Sequence, residues 1–197
     1  MARTFQMLVS NIITKARSLL NDTNSTTGYR QSDAELIGWL NDAFNVLLNI
    51  NPALFAKNAM HTCVAGYVQT VDINRAVGFL EVVGIPEGDR VTLTLFRPNW
   101  IYDPQGATVN WMPEPSEPLR FDLYPPAQAG AQLPIRYIAA PVPFTTLADI
   151  VPISENYEAM LVEYVVGRAE VKDDEHTNSQ RATQLMDRFI AQAKGTS

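Results

Sequence analysis

The chain has 197 residues, of which 46% are hydrophobic and 18% charged, a composition typical of a globular protein of one domain. Its net charge of −6 argues against tight, static binding of nucleic acid, which depends on Lys and Arg neutralising phosphates, and suits a surface past which nucleic acid slides. The single cysteine, Cys63, excludes an intrachain disulfide and a thiolate metal cluster built by one chain, and its apolar neighbours indicate burial.

The first predicted element is an amphipathic helix of about 16 residues, because apolar residues recur at three- and four-residue spacing. These residues are Phe5, Leu8, Val9, Ile12, Ala16, Leu19 and Leu20. Their pattern is too interrupted for a secretory signal, and no segment of the chain approaches the ~20 apolar residues of a membrane-spanning helix. We therefore expect a reducing, soluble compartment and no membrane contact, unless the protein is exported as part of something larger.

A second helix is predicted to begin at Ser32, because "SDAE" has the form of a capping box in which Ser32 and Glu35 exchange hydrogen bonds. It ends before Pro52, which disfavours helical geometry in the preceding residue. Three apolar residues lie off the main apolar stripe of this helix: Trp39, Val46 and Ile50. A helix that is apolar on more than one face needs a second cover, which is either another helix of the chain or a neighbouring subunit.

The middle of the chain, from about residue 59 to residue 143, consists of short β-rich runs separated by Gly, Pro and Asp turns. The expected fold is α+β and mainly α: a four-helix bundle from the N- and C-terminal segments with an inserted antiparallel β region. We expect a single domain, 1–197, with N-terminal helices in 1–55, a β-rich insertion in 56–150 and C-terminal helices in 151–197.

Two further helices are predicted near the C-terminus, one capped by Ser154 and one over about 178–194. In the first of these helices the apolar stretch "LVEYVVGRAEV" runs into "KDDEH", which ends at His176. Four consecutive polar residues on a helix fan through about 300° and cannot converge on one metal ion. This stretch is therefore interpreted as a core helix that emerges into a solvated connection.

No chemical motif stands out in the sequence. A phosphate-binding glycine loop, a Gly-x-Ser-x-Gly elbow and the His-Glu-x-x-His zinc pattern are all absent, so no catalytic residue, metal ligand or cofactor is predicted. Two of the 21 acidic residues could still form the carboxylate pair of a small hydrolase acting on cell-wall polysaccharide. A tail-fibre or decoration subunit is the other alternative to a structural connector.

Aromatic residues and one arginine are the candidate interface residues, since aromatic and Arg side chains are preferred anchors of protein–protein contacts. The aromatic segment "NWIYDPQGATVNWMPEP" is either an extended loop anchored by its tryptophans or a protein-contact arm. Arg168 is expected to bind a carboxylate within the chain or across a subunit boundary, with the intrachain role favoured. The candidates are Trp39, Trp100, Tyr102, Trp111 and Arg168.

Residues 19–55 resemble the opening signature of adaptor proteins at the head–tail junction of short-tailed bacteriophages. In that signature a Leu-x-Asp turn precedes an aromatic–Ser–Asp–x–Glu–Leu helix start, and a Trp-Leu-Asn-Asp core and a proline follow. The matching positions are Leu20, Asp22, Ser32 to Leu36, Trp39 to Asp42, and Pro52. Gln31 stands where the family has an aromatic residue, and Tyr29 lies two positions earlier.

Two later segments extend the resemblance over nearly the whole chain. "LRFDLYPPA" is similar to a strand of the family that ends in Tyr-Pro-Pro, and residues 157–192 are similar to its two C-terminal helices. The matching residues of these segments are Phe121, Leu123, Tyr124 to Pro126, Tyr157, Leu161, Tyr164, Arg168, Ala169, Lys172 and Asp173, with the leucine position shifted by one.

The resemblance implies a structural, non-enzymatic protein that assembles as a ring of twelve copies below the portal protein. Such rings join the portal to the tail nozzle or tube and keep DNA in the capsid until ejection. The implied location is the head–tail junction of the virion, after assembly in the host cytoplasm. A channel lined with carboxylates would repel the duplex backbone and let double-stranded DNA pass without specific binding.

Overall fold

The computed structural model describes residues 6–23, 28–85, 87, 110–172 and 179–195. Its helices are α1 (Val9–Leu19), α2 (Asp33–Ile50), α3 (Glu158–Lys172) and α4 (Ser179–Ala193). Its strands are β1 (Ala56–Thr62), β2 (Gly66–Thr70), β3 (Ala76–Val82), β4 (Asn110–Pro113), β5 (Arg120–Ala127) and β6 (Gln132–Ala139). None of the described helices is long and apolar enough to cross a membrane.

The chain divides into two compact units, each with its own core. The helical unit contains residues 1–54 and 141–197, and the β unit contains residues 55–140. The predicted β-rich segment, 56–150, therefore extends ten residues into the helical unit. A single domain over 1–197 stays a prediction.

The predicted mainly α fold, a four-helix bundle with an inserted antiparallel β region, is wrong. Of the described residues 42% are helical and 27% lie in six strands that form two antiparallel sheets. Buried side chains from both sheets form one cluster, so the two sheets bury their inner faces against each other. The β region is thus a unit with its own core.

Helix α3 is the central element of the helical unit, and α1, α2 and α4 all pack against it. The predicted capping box at the start of α2 is confirmed: the Ser32 side chain accepts from the Glu35 amide, and the Glu35 carboxylate accepts from the Ser32 amide. Ser154 caps a 3-10 turn, Glu155–Tyr157, that leads directly into α3. Gly167 lets α4 approach α3 closely, since a Cβ there would lie 3.3 Å from the Met186 side chain.

The β unit consists of two three-stranded sheets, with strand orders β1-β6-β3 and β2-β5-β4. Their inner faces share an aromatic core. The rings of Phe79 and Phe121 stack with centroids 4.1 Å apart, and Trp111 meets Phe79 edge-on at 5.2 Å. Because side chains alternate along a strand, the same strands leave exposed side chains on their outer faces.

Candidate interaction surfaces

The turn between α1 and α2 is built around the buried carboxylate of Asp22. One oxygen accepts from the Arg17 guanidinium (2.7 Å) and from the Gln31 amide (3.1 Å), and the other accepts from the Arg30 amide (2.7 Å). These bonds satisfy both carboxylate oxygens, as a buried charge requires. The Leu-x-Asp turn of the phage signature thus has a physical role here: Asp22 fixes the chain just before the cap of α2.

Arg17 connects this turn to the start of α2. Its second guanidinium nitrogen donates to Asp33 at 2.6 Å, and its guanidinium carbon lies 3.8 Å from the centre of the Tyr29 ring. The planar guanidinium makes the two bonds from two nitrogens held in a fixed fork, whereas a lysine has a single nitrogen. Sequence reasoning missed Arg17; the only signal was an arginine in the last turn of α1, 16 residues before Asp33 at the start of α2.

Asn41 anchors the segment that returns from the β unit into the helical unit. Its side-chain oxygen accepts from the Phe144 amide (2.8 Å), and its side-chain nitrogen donates to the Phe144 carbonyl (3.0 Å). Both polar atoms of the backbone of one residue are therefore paired with one side chain. The Phe144 ring meets Phe44 edge-on at 5.0 Å, so the asparagine of the Trp-Leu-Asn-Asp core positions an aromatic core contact.

One side of α2 is only partly covered, and we call it the Trp39 face. Spacings of three and four residues place the members from α2 on one helical stripe, and the apolar ones among them are half-buried. Two cations of α3 flank the stripe: Arg168 lies 3.8 Å from the Asp42 carboxylate, and Lys172 pairs with Glu35 with its Nζ 6.0 Å from the centre of the Trp39 ring. The Trp39 face comprises Glu35, Trp39, Asp42, Val46, Ile50, Arg168 and Lys172.

The ion pairs of the Trp39 face are accessible to solvent, but the groups around them have shifted pKa values. The hydrogen bond from Lys172, together with those from the backbone and side chain of Ser32, lowers the pKa of Glu35 to about 2. Burial raises the pKa of the Tyr164 hydroxyl beside this face. Arg168 is 45% exposed, and its contact with Asp42 is long, so its guanidinium keeps donors available for a further partner.

A second partly uncovered surface is an open groove of about 400 Å³ between α1 and α3. Its apolar lining comes from Leu19, which is 50% exposed, and from Ala159 and Val162. Glu163 borders the groove with a buried carboxylate oxygen, Oε2, that has no hydrogen-bond partner. Its other oxygen lies 3.8 Å from Arg188. The groove thus offers apolar contact beside a carboxylate side chain that is 21% exposed.

The candidate interface residues of the sequence have different positions in the structure. Trp39 and Arg168 are brought together on the Trp39 face. Trp111 lies in the core of the β unit, where it is 4% exposed and its indole N–H donates to the Ile85 carbonyl at 2.8 Å. Trp100 and Tyr102 lie outside the described residues. The intrachain contact expected for Arg168 is present with Asp42.

The described residues contain no cluster of three or more His, Cys, Asp or Glu side chains arranged for a metal ion. Within the part of the chain that the structure describes, two carboxyl groups have clearly shifted pKa values. Both shifts are downward: that of Glu35 for the reasons above, and that of Asp149 because it accepts from the amides of Thr145 and Thr146. A general acid needs the opposite shift. Burial raises the pKa of the Cys63 thiol, which keeps it protonated.

The family model described as SU10 adaptor protein matches residues 7–197, which is nearly the whole chain. A search among curated proteins finds no match. The family match confirms the resemblance to phage head–tail adaptors that the sequence motifs indicated.

Proposed function

The chain belongs to the SU10 adaptor protein family, and from this premise we propose that its copies close into a ring between the portal protein and the tail. Family membership supports a structural adaptor role at the head–tail junction of a phage virion, in association with portal and tail components. The ring, its twelve copies and its DNA channel are our proposal. The observation that carries it is the presence of two partly uncovered surfaces on one helical unit.

We propose that the Trp39 face of one copy packs into the α1–α3 groove of the next. The groove residues of α3 and the flanking cations of α3 point about 130° apart around the helix, given 100° per residue. Two different surfaces joined head to tail make a heterologous contact, and such contacts generate rings when the rotation closes. A single self-complementary surface would stop at a two-fold dimer.

The chemistry of the two surfaces is complementary. The groove contributes Leu19 and the Glu163 side chain, which is 21% exposed, whereas the Trp39 face contributes an indole ring and the exposed guanidinium of Arg168. Docking the two would bury apolar area and give Glu163 a charged donor. Arg168 would then serve both alternatives that its sequence position leaves open, a carboxylate of its own chain and one of a neighbour.

The acidic balance of the chain supports the proposed channel. A net charge of −6 per copy disfavours phosphate contacts, so DNA passing through a ring of such copies would not be held by it. The alternative functions, a carboxylate-pair hydrolase and a tail-fibre or decoration subunit, gain no specific observation from the described residues.

The test is ring assembly in the presence of the portal protein, measured by native mass spectrometry and electron-microscope class averages. Replacing Trp39 with Ala on one surface, or Leu19 with Asp on the other, should weaken ring assembly at least about tenfold, because central aromatic and apolar anchors carry most of the energy of an interface. Tyr67→Ala removes a partly exposed aromatic side chain from the β unit and is the matched control. Rings that persist at wild-type concentration in both variants would refute the proposed contact.

A further inference from the structure

The described β unit has four edge strands, which are β1 and β3 in one sheet and β2 and β4 in the other. Natural proteins protect such edges with bulges, prolines or short strands. Strand β3 has two register shifts and β2 has one, and β4 has only four residues and ends at Pro113. Strand β1 pairs with β6 over seven residues in unbroken register and contains no proline. It lacks the protection that the other three have.

The register also identifies the backbone groups that face the open side of β1. The Cys63 amide, one residue beyond the strand, donates to the Ala131 carbonyl at 2.8 Å, so Cys63 faces the β6 side. Because hydrogen-bonded and non-hydrogen-bonded positions alternate along an antiparallel pair, the even-numbered residues of β1 point away from β6. The amide and carbonyl groups of Asn58 and Met60 are therefore directed to the free edge.

From this geometry we propose that β1 is a docking edge that receives an extended segment of a non-identical protein of the head–tail junction. This inference rests on the proposed function, because it takes the partner from the junction. The added strand would hydrogen-bond to the even-numbered residues of β1 and extend the β1-β6-β3 sheet by one strand. Backbone hydrogen bonds would give the affinity, and side chains at two positions would give the specificity.

The exposed side chains of β1 indicate the chemistry of the incoming strand. Met60 is 58% exposed, which favours an apolar residue directly opposite it. Lys57 is exposed, and the ion pairs found among the described residues do not include it, so a carboxylate opposite Lys57 would complete a cross-strand pair. The two positions are three residues apart and lie on opposite faces of the strand, so one extended segment can satisfy both.

A second copy of the chain fits this edge less well than a different protein does. The other described edges of a neighbouring copy are bulged or short, so they offer no matching seven-residue partner. Pairing β1 with β1 of another copy would be two-fold symmetric and would close a dimer. Such a dimer would use up the edge without extending a ring.

Hydrogen exchange in three samples tests the proposal: the protein alone, the protein with the portal protein, and the protein with the tail nozzle protein of the same phage. The peptide covering residues 56–62 should exchange at least about tenfold more slowly in one of the two complexes than in the chain alone. Slow exchange in assemblies of this chain alone would mean that a second copy occupies the edge, and would overturn the proposal. Equal exchange in all three samples would also overturn it.

A pair of variants separates the backbone from the side chain. Met60→Pro removes an outward amide from an edge strand that tolerates proline there, whereas Met60→Ala removes the same side chain and keeps the amide. Met60→Pro should bind the protecting partner about tenfold more weakly than Met60→Ala, because a backbone acceptor of the partner is left unpaired. Equal binding by the two variants would contradict strand addition. Asn58→Pro, which removes another outward amide, replaces Met60→Pro if circular dichroism shows misfolding.

Ring assembly with the portal is measured on the same samples, which separates this inference from the proposed function. If the wild-type chain forms normal rings but β1 is not protected from exchange, the proposed docking edge is refuted and the proposed ring is not. Failure of the wild-type chain to form rings would count against the proposed function, whatever the exchange of β1.

Discussion

The helical unit and the β unit differ in the kind of group that each leaves available for a partner. The helical unit pairs the buried charges of Arg17 and Asp22, but it leaves apolar and charged side chains partly uncovered on two surfaces of its helices. The β unit closes its aromatic core around Phe79 and Phe121, but it leaves the backbone of one regular strand unpaired along an edge. One unit therefore offers side chains to a partner, and the other offers main chain.

This difference suggests a division of labour in an adaptor. Side-chain surfaces recognise a fixed shape, which suits contacts between identical copies in a ring. A strand edge accepts many sequences, because its hydrogen bonds come from the backbone, and this suits a contact with a different protein. Such a division requires that the two units keep separate cores. Substitutions in the core of each unit test whether they do.

The largest expected effect comes from Phe121→Ala in the core of the β unit. Phe121 is fully buried and stacks on Phe79, so its removal should lower the free energy of unfolding of the β unit by about 3–5 kcal/mol. Hydrogen exchange should accelerate in β5 and β6 while α2 and α3 keep their protection. Val64→Ala, at a 60% exposed position of the same unit, is the control and should have little effect. Equal loss of protection in both units would show that they unfold together, and the comparison would fail.

The converse substitution, Arg17→Ala, should destabilise the helical unit by about 3 kcal/mol. It leaves the buried Asp22 carboxylate with backbone donors only and removes the contact with Asp33. Urea unfolding monitored by exchange should show lost protection in α1 and α2 and unchanged protection in the β strands. Arg136→Ala removes an exposed pair with Glu81 and should cost at most about 0.5 kcal/mol. If Arg17→Ala lowered the free energy of unfolding by no more than Arg136→Ala does, the turn around Asp22 would not depend on Arg17.

Local features of the fold could be predicted from the sequence. The capping box of α2 follows from four consecutive residues, and its start at Asp33 agrees with the prediction. The apolar stripes of the terminal helices and the β-rich character of the middle also follow from spacing over short windows. Such signals need no information about distant parts of the chain.

Features that depend on distant residues could not be predicted. Strand β1 pairs with β6 across more than half the β unit, and no short window encodes that register. Sequence patterns alone therefore predict a mainly α fold and do not reveal the shared core of the two sheets. The pairing of Asn41 with the Phe144 backbone was missed for the same reason. Trp39 and Arg168 were chosen separately, and only packing of α2 on α3 places them on one surface.

The smallest predicted effect is a pH dependence that sharpens the description of the Trp39 face. The pKa of Glu35 is about 2 in the folded protein and has a reference value of 4.5, so the native state favours the charged form. The stabilisation is therefore fully present above about pH 4.5 and is lost as the pH falls through about 2. Because the Glu35–Lys172 pair is accessible to solvent, this stabilisation should be only about 0.5 kcal/mol.

Glu35→Gln keeps a side chain that can complete the capping box but cannot titrate, so it is the matched variant. The difference in urea midpoint between wild type and Glu35→Gln should shrink between pH 5 and pH 2.5. The pKa of Asp149 is also lowered, but its contribution is the same in both proteins and therefore drops out of the difference. A difference that stays constant over that range would mean that the Lys172 pair does not hold the Glu35 charge in solution, and the cation would then be free to contact a neighbouring copy.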